Sequence, residues 1–204
     1  MPVKQTSMDE RRLIVSAQRG NVQAFNQLIQ VYQNLAFNVA YRILGDDEAA
    51  ADATQDAFLS AYKAIERFRG GSFKAWVLRI VTNACYDQLR VKQRRPTTSL
   101  DDMLPESDHL EVMRDSSELP EQHLLREEMG EIIQKGLRAL PTEQRVTVIL
   151  SDIQGLEYRE IAQVTGASLG TVKSRLSRGR ARLRGYLHRN RELLPAGFRL
   201  QPER

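Results

Sequence analysis

The chain has little of what staples small secreted proteins or builds metal centres. It carries one cysteine, Cys85, in 204 residues, which excludes an intramolecular disulfide and any zinc site of paired cysteines. Its three histidines, His109, His123 and His188, lie far apart in sequence and form no ligand-spaced motif. There is no run of about 18 apolar residues, so no membrane-spanning helix and no direct membrane insertion are expected. The opening MPVKQTSMDERR has no apolar stretch behind its basic residue and does not read as a secretory signal. Aromatic residues make up 6% of the chain, so its core must lean on Leu, Ile, Val and Ala. No apolar–polar alternation is long enough for a useful strand. Nor is there a phosphate-binding GxxxxGK motif, a GxSxG nucleophile elbow or a metal-ligand cluster. Cys85, between Ala84 and Tyr86, reads as a small core residue rather than a nucleophile. These absences point to a cytoplasmic, all-helical protein that is no enzyme and uses no cofactor or metal.

What is present is charge, unevenly placed. Hydrophobic residues reach 41%, too many for wholesale disorder, and the formal net charge is +4. Residues 1–96 carry 14 basic and 9 acidic side chains. Residues 97–122 carry one basic side chain, Arg114, against eight acidic ones, and 123–204 carry 15 against 9. Two basic modules flanking an acidic strip suggest two domains that each meet a polyanion. The strip itself has two prolines, several serines and no helical period, and reads as a linker. Its charge fits either a solvated spacer or a segment that mimics nucleic acid inside a basic channel. The expected boundaries are therefore 1–96, a linker at 97–122, a second domain at 123–191 and a tail at 192–204.

The helical period is clear in both modules. Residues 24–44 carry a wide apolar stripe from Ala24 and Phe25 through Leu28, Val31, Tyr32 and Val39 to Ile43, stopped by Gly45. Asp46 or Asp47 is placed to cap the next helix, 48–66, whose stripe is Ala50, Ala53, Ala57, Phe58, Ala61, Tyr62 and Ile65. Asp52, Gln55, Asp56 and Lys63 fall off that stripe. Phe68-Arg69-Gly70-Gly71-Ser72 reads as a loop. A third helix restarts at Phe73 and runs into the basic end Arg90-Val91-Lys92-Gln93-Arg94-Arg95 before Pro96.

In the second module, 124–140 reads as an amphipathic helix and Thr142 as the N-cap of the next, which continues through Ile149, Leu150 and Ile153 to Gly155. Then Tyr158, Ile161, Ala162 and Val164 mark a short helix and Gly166 a turn. Ser168 is placed to cap a helix packed through Leu169, Val172 and Leu176. That is a helix-turn-helix pattern. The second helix offers Thr171, Lys173, Ser174, Arg175, Ser177 and Arg178 on its free side, and residues 169–191 hold eight basic side chains and no acid. Such a surface binds phosphate by counterion release, and Lys173 and Arg178 are long enough to reach guanine edges.

Together the two halves resemble the extracytoplasmic-function (ECF) sigma factors of the sigma-70 family. The resemblance rests on DATQDAFLSAYKAI (52–65), FRGGSFKAWVLRIVTNACYDQLR (68–90), LPTEQR (140–145) and the 156–187 segment, in this order. It implies an all-α chain of two small helical domains, sigma-2-like and sigma-4-like, joined by a flexible acidic linker. It also implies an alternative sigma factor that guides core RNA polymerase to promoters, in a stress or envelope response under an anti-sigma factor. By the family pattern, Asp52, Gln55, Asp56 and Phe58 dock on the coiled coil of the polymerase largest subunit, and the second domain meets the flap of the second-largest. Phe68, Arg69, Phe73, Trp76 and Asn83 match positions that capture a flipped base of the minus-10 element, with Arg90, Lys92, Arg94 and Arg95 on adjacent phosphates. Phe73 and Trp76 fit the helix core equally well. In the second domain, Ser168, Thr171, Lys173, Ser174, Arg175, Ser177, Arg178 and Arg180 fall on the minus-35 element, with Lys173, Ser174 and Arg178 nearest bases and Arg175 and Arg180 on phosphate. The acidic linker matches a family segment that threads the polymerase channels. Two departures stand out: the loop after Phe68 is one residue shorter than the common form, and Ser177 replaces a bulkier residue. Promoter sequences are therefore not carried over. The competing reading is a stand-alone helix-turn-helix regulator that binds operators through 142–187.

Overall fold

A computed structural model describes residues 3–94 and 120–193. The chain divides into two compact units, Met1–Arg95 and Pro96–Arg204. All regular structure among the described residues is helical. The expected linker falls outside the described residues except at its end, where a helix already begins at Pro120, and so does the tail beyond Leu193.

The first unit holds α1 (Val3–Gln18), α2 (Val22–Leu44), α3 (Asp47–Ala64) and α4 (Phe73–Arg94). Each boundary has a local cause. The Asn21 side chain accepts from Ala24 N–H at 3.1 Å to open α2. Gly45 closes it in the left-handed conformation, φ 75°, returning its N–H to Tyr41. Asp46 then caps α3 at 2.7 Å on Ala49 N–H, so of the two candidate caps the first is used. Helix α1 has no counterpart in the expected element list.

Helices α2, α3 and α4 pack on one another, and α1 lies against α2 and the 3₁₀ turn Ile65–Arg67. Ala50, Ala53, Ala57 and Ala61 form the buried face of α3. With only methyl groups there, α2 and α4 approach closely, and larger side chains from those two helices, among them Leu28, Val39, Ile43, Leu78 and Val81, fill the core. Burying one such residue is worth about 1.5–3 kcal/mol. The wide stripe expected on α2 is narrower than it looks in sequence: Val31 is 63% exposed. On α3, Phe58 is half-buried and Tyr62 exposed, its ring in an edge-type pair with Phe25, centroids 5.1 Å apart.

The second unit holds α5 (Pro120–Arg138), α6 (Thr142–Val148), the π-type turn Ile149–Ile153, α7 (Tyr158–Thr165) and α8 (Leu169–Arg189). Thr142 is not the N-cap expected of it. Pro141 occupies that position in extended backbone, its carbonyl accepting from Gln144 and Arg145 N–H at 2.9 Å, and no side chain caps the helix. Proline's fixed φ leaves its carbonyl free to start the helix, which moves the start back by one residue. The π-type turn also departs from expectation. Its wider spacing rotates the following residues out of the α period, and Ile153, expected inside, is exposed. Helix α7 ends at Gly166, φ 66°, and Ser168 caps α8 by accepting from Thr171 N–H at 3.1 Å. Leu169, expected to pack, is exposed at the first position of that helix. Helices α5, α6 and α7 all pack against α8 through a core that includes Leu137, Val146, Leu150, Ile161, Val172 and Leu176.

Candidate nucleic-acid interface

On α3, Asp52, Gln55 and Asp56 all lie exposed on the side opposite the alanine face. Spacing of three and four residues sets them in one row, and the same row continues to Leu59, 54% exposed. Sequence reasoning named the three polar residues and missed Leu59, although its helical spacing from Gln55 and Asp56 carried the signal. Phe58 stands off that row.

The loop between α3 and α4 is built from both ends. Gln18 on α1 donates its amide to the carbonyls of Ile65, at 3.2 Å, and Phe68, at 2.8 Å. Gly70 and Gly71 follow with φ 96° and 89°, the left-handed region that side chains resist, and no atom stands within 4 Å of where a Cβ would sit on either. Ser72 then caps α4, accepting from Ala75 N–H at 3.1 Å. Beneath this loop Phe68, Phe73 and Trp76 form one cluster, with ring centroids 5.3–5.4 Å apart, extended by Tyr32 at 5.4 Å from Phe73. Such tilted and edge-on pairs add about 0.5–1.5 kcal/mol to their burial. Phe73 is 3% exposed and Phe68 is also buried, so both serve the core, while Trp76 keeps part of its surface. Arg69 is exposed and donates to the Glu66 carbonyl at 3.2 Å. Further along α4, Asn83 is exposed, Arg90 pairs with Asp87 at 2.9 Å, and Lys92 and Arg94 stand exposed in the last turn, where cations suit the helix dipole. Arg95 lies outside the described residues.

On α8, the expected interface residues separate into groups. Ser168 and Thr171 serve the cap, their hydroxyls 2.9 Å apart, and Ser174 donates to the Thr171 carbonyl at 3.0 Å. Lys173, Ser177 and Arg178 are exposed. Arg175 is half-buried and paired with Glu143 on α6 at 2.7 Å. Arg180 is paired with Asp152 at 3.0 Å through Nε and reaches Ser151 at 3.3 Å. The hydrogen bond from Arg180, aided by Ser151, holds the Asp152 carboxyl below its ordinary range despite some desolvation. Sequence reasoning gave no role to Asp152 or Glu143, whose partners lie 28 and 32 positions on, beyond any local pattern.

No group of three or more His, Cys, Asp or Glu side chains among the described residues is placed to hold a metal ion. No helix among them is long and apolar enough to cross a membrane. The arrangement has two basic faces on helical scaffolds and one exposed acidic row.

Comparison with known proteins agrees in both units. Residues 28–95 match the Sigma-70 region 2 family and residues 130–183 match the Sigma-70, region 4 family. The RNA polymerase sigma-H factor of Pseudomonas aeruginosa is 34% identical over 86% of this chain and 92% of its own length. The ECF RNA polymerase sigma-E factor of Escherichia coli is 33% identical over 85% of this chain and 91% of its own. The ECF RNA polymerase sigma factor SigE of Mycolicibacterium smegmatis is 35% identical over 80% of this chain, which spans 62% of that relative's length. Among solved structures, the sigma factor RpoE of Bartonella quintana, crystallised with the anti-sigma factor NepR, is similar at TM-score 0.62 and 28% identity over 80% of this chain and 96% of its own. CnrH, solved with the cytosolic domain of CnrY, is similar at TM-score 0.60 and 28% identity over 88% of this chain and 97% of its own.

Proposed function

Because the chain belongs to the ECF sigma factors of the sigma-70 family, we propose that it binds core RNA polymerase and directs promoter-specific initiation of transcription. It does so from the cytoplasm, by contacts alone, and carries no chemistry of its own. The observation that supports this best is the pairing of two dissimilar surfaces in one chain: an exposed acidic row on the first unit and a basic, outward-facing helix-turn-helix on the second.

In this reading Asp52, Gln55, Asp56 and Leu59 form the docking row for the polymerase largest subunit, with Phe58 beside them. The loop at 69–72, held open by its two glycines, and the exposed side of α4 with Trp76, Asn83, Arg90, Lys92 and Arg94 meet the minus-10 element. Phe68 and Phe73 shape that surface from beneath. Helix α8 enters the minus-35 major groove, where Lys173, Ser177 and Arg178 are free to reach bases and phosphates. Relatives solved with an anti-sigma factor or another protein's cytosolic domain support a matching inhibitor for this chain.

The test is co-elution of the purified full chain with bacterial core RNA polymerase at moderate salt, beside an Asp52→Arg, Asp56→Arg variant. Wild type should co-elute and the variant should not. Failure of folded, inhibitor-free wild type to bind core enzyme would favour a stand-alone operator-binding regulator.

A further inference from the structure

The eight cations of residues 169–191 look interchangeable in sequence, yet the structure treats two of them differently from the rest. The buried ridge of α8 is Val172, Leu176 and Gly179. At about 100° per residue, Arg175 and Arg180 stand about 70° to either side of that ridge. Each flank is tied to a carboxylate from the same neighbouring segment: Glu143 on α6 at 2.7 Å from Arg175, and Asp152 in the π-type turn at 3.0 Å from Arg180. Between them lies Gly179, where an added Cβ would stand 2.8 Å from Val148 Cγ2 and 3.4 Å from the Gln144 backbone carbonyl. The absent side chain lets α8 settle close to α6, near enough for both carboxylates to reach their arginines. Lys173 and Arg178 are exposed, and neither is in an ion pair among the described residues.

We propose that Arg175 and Arg180 are positioning residues of α8, which Glu143 and Asp152 hold at a fixed rotation about the helix axis, and that neither gives its charge to DNA phosphate. The inference rests on α8 being the DNA-reading helix. Two ties on opposite flanks resist rotation in either sense, which one tie cannot do. A rotation of one residue's width, about 100°, would swap the outward row Ser174, Ser177 and Arg178 for another set. The carboxylates also neutralise two flanking cations, which narrows the positive face to its outer side.

The test uses variants that remove each pair without changing net charge: Asp152→Asn with Arg180→Gln, and Glu143→Gln with Arg175→Gln. Binding of the full chain to a fluorescein-labelled mixed-sequence duplex is followed by anisotropy from about 50 to 200 mM salt, the range over which phosphate contacts dominate. Each lost phosphate contact lowers the slope of log K against log salt by about 0.9. Arg178→Gln and Lys173→Gln should each show that loss. The two neutral pair variants should keep the wild-type slope while weakening binding by up to about fivefold, as expected for partly exposed pairs. The reciprocal exchange Asp152→Arg with Arg180→Asp should restore the affinity. A slope loss near 0.9 in either pair variant, or failure of the exchange to restore binding in a chain of unchanged circular dichroism, would overturn the proposal. If Arg178→Gln and Lys173→Gln also leave the slope untouched, the assignment of α8 to DNA falls, and the proposal with it.

Discussion

Cys85 is fully buried, and burial pushes its thiol up from 9.0 to about 12. The unfolded chain therefore releases this proton first. Stability is full below pH 9 and declines as pH rises toward 12, by up to about 1.4 kcal/mol per pH unit from this group. Tyr32, buried and hydrogen-bonded to Glu10, is also pushed upward and adds the same sign above its ordinary value of 10.0. Urea unfolding of Cys85→Ala at a series of alkaline pH values should show a shallower loss than wild type, whatever the offset at neutral pH. Gln18 makes a second prediction at this scale. Losing its two bonds to the Ile65 and Phe68 carbonyls should cost about 1–3 kcal/mol in Gln18→Ala and speed tryptic cleavage after Arg69, read by limited proteolysis. Ser168, Asp46 and Gly166 are readable from sequence because a cap acts on atoms three or four residues away. Gln18 is not readable, since its partners lie 47 and 50 positions on.

Among the elements, two helical glycines in the second unit test how tightly α8 is held. A Cβ at Gly179 would meet Val148, itself buried, at 2.8 Å, whereas one at Gly136 would meet the terminal Cδ1 methyl of the half-buried Leu183 at 2.7 Å and the flank of the half-buried Tyr186 ring at 3.0 Å. The first neighbour has nowhere to go, whereas the Leu183 methyl ends a flexible side chain that can turn away and the Tyr186 ring need give only a few tenths of an ångström. Gly179→Ala should therefore destabilise by about 1–3 kcal/mol. In Gly136→Ala the cost of displacing those two side chains is offset by a helix-propensity gain of about 1 kcal/mol, leaving it near neutral. Thermal melts of both variants decide the point. Helices α2, α3, α4, α7 and α8 are legible because their apolar period is strong and their ends carry caps or glycine. Helix α1 is not, because its opening MPVKQTSMDERR carries no apolar stretch to set a helical period. The π-type turn escapes because an extra residue per turn leaves no mark in composition, and Ile153 is misplaced with it.

For the whole molecule, the decisive fact is that each unit has its own core. Calorimetry of the full chain should resolve two transitions. Gly179→Ala should shift only one of them and Phe73→Ala, at 3% exposure, only the other by about 3–5 kcal/mol. Charge blocks alone suffice for the division into two modules, because a switch from basic to acidic and back is visible without packing. What charge does not reveal is which cations are already neutralised inside the protein, since Arg175 and Arg180 read the same as Arg178 until their carboxylates are seen. The placement of those ties on the flanks of α8 also bears on how such a chain diversifies. Ser177, Arg178 and Ala181 face outward and contribute nothing to the core. A library randomised at these three positions should therefore yield folded members at high frequency, so that under the proposed role of α8 the sequences it reads can drift while the scaffold beneath it stays under separate selection.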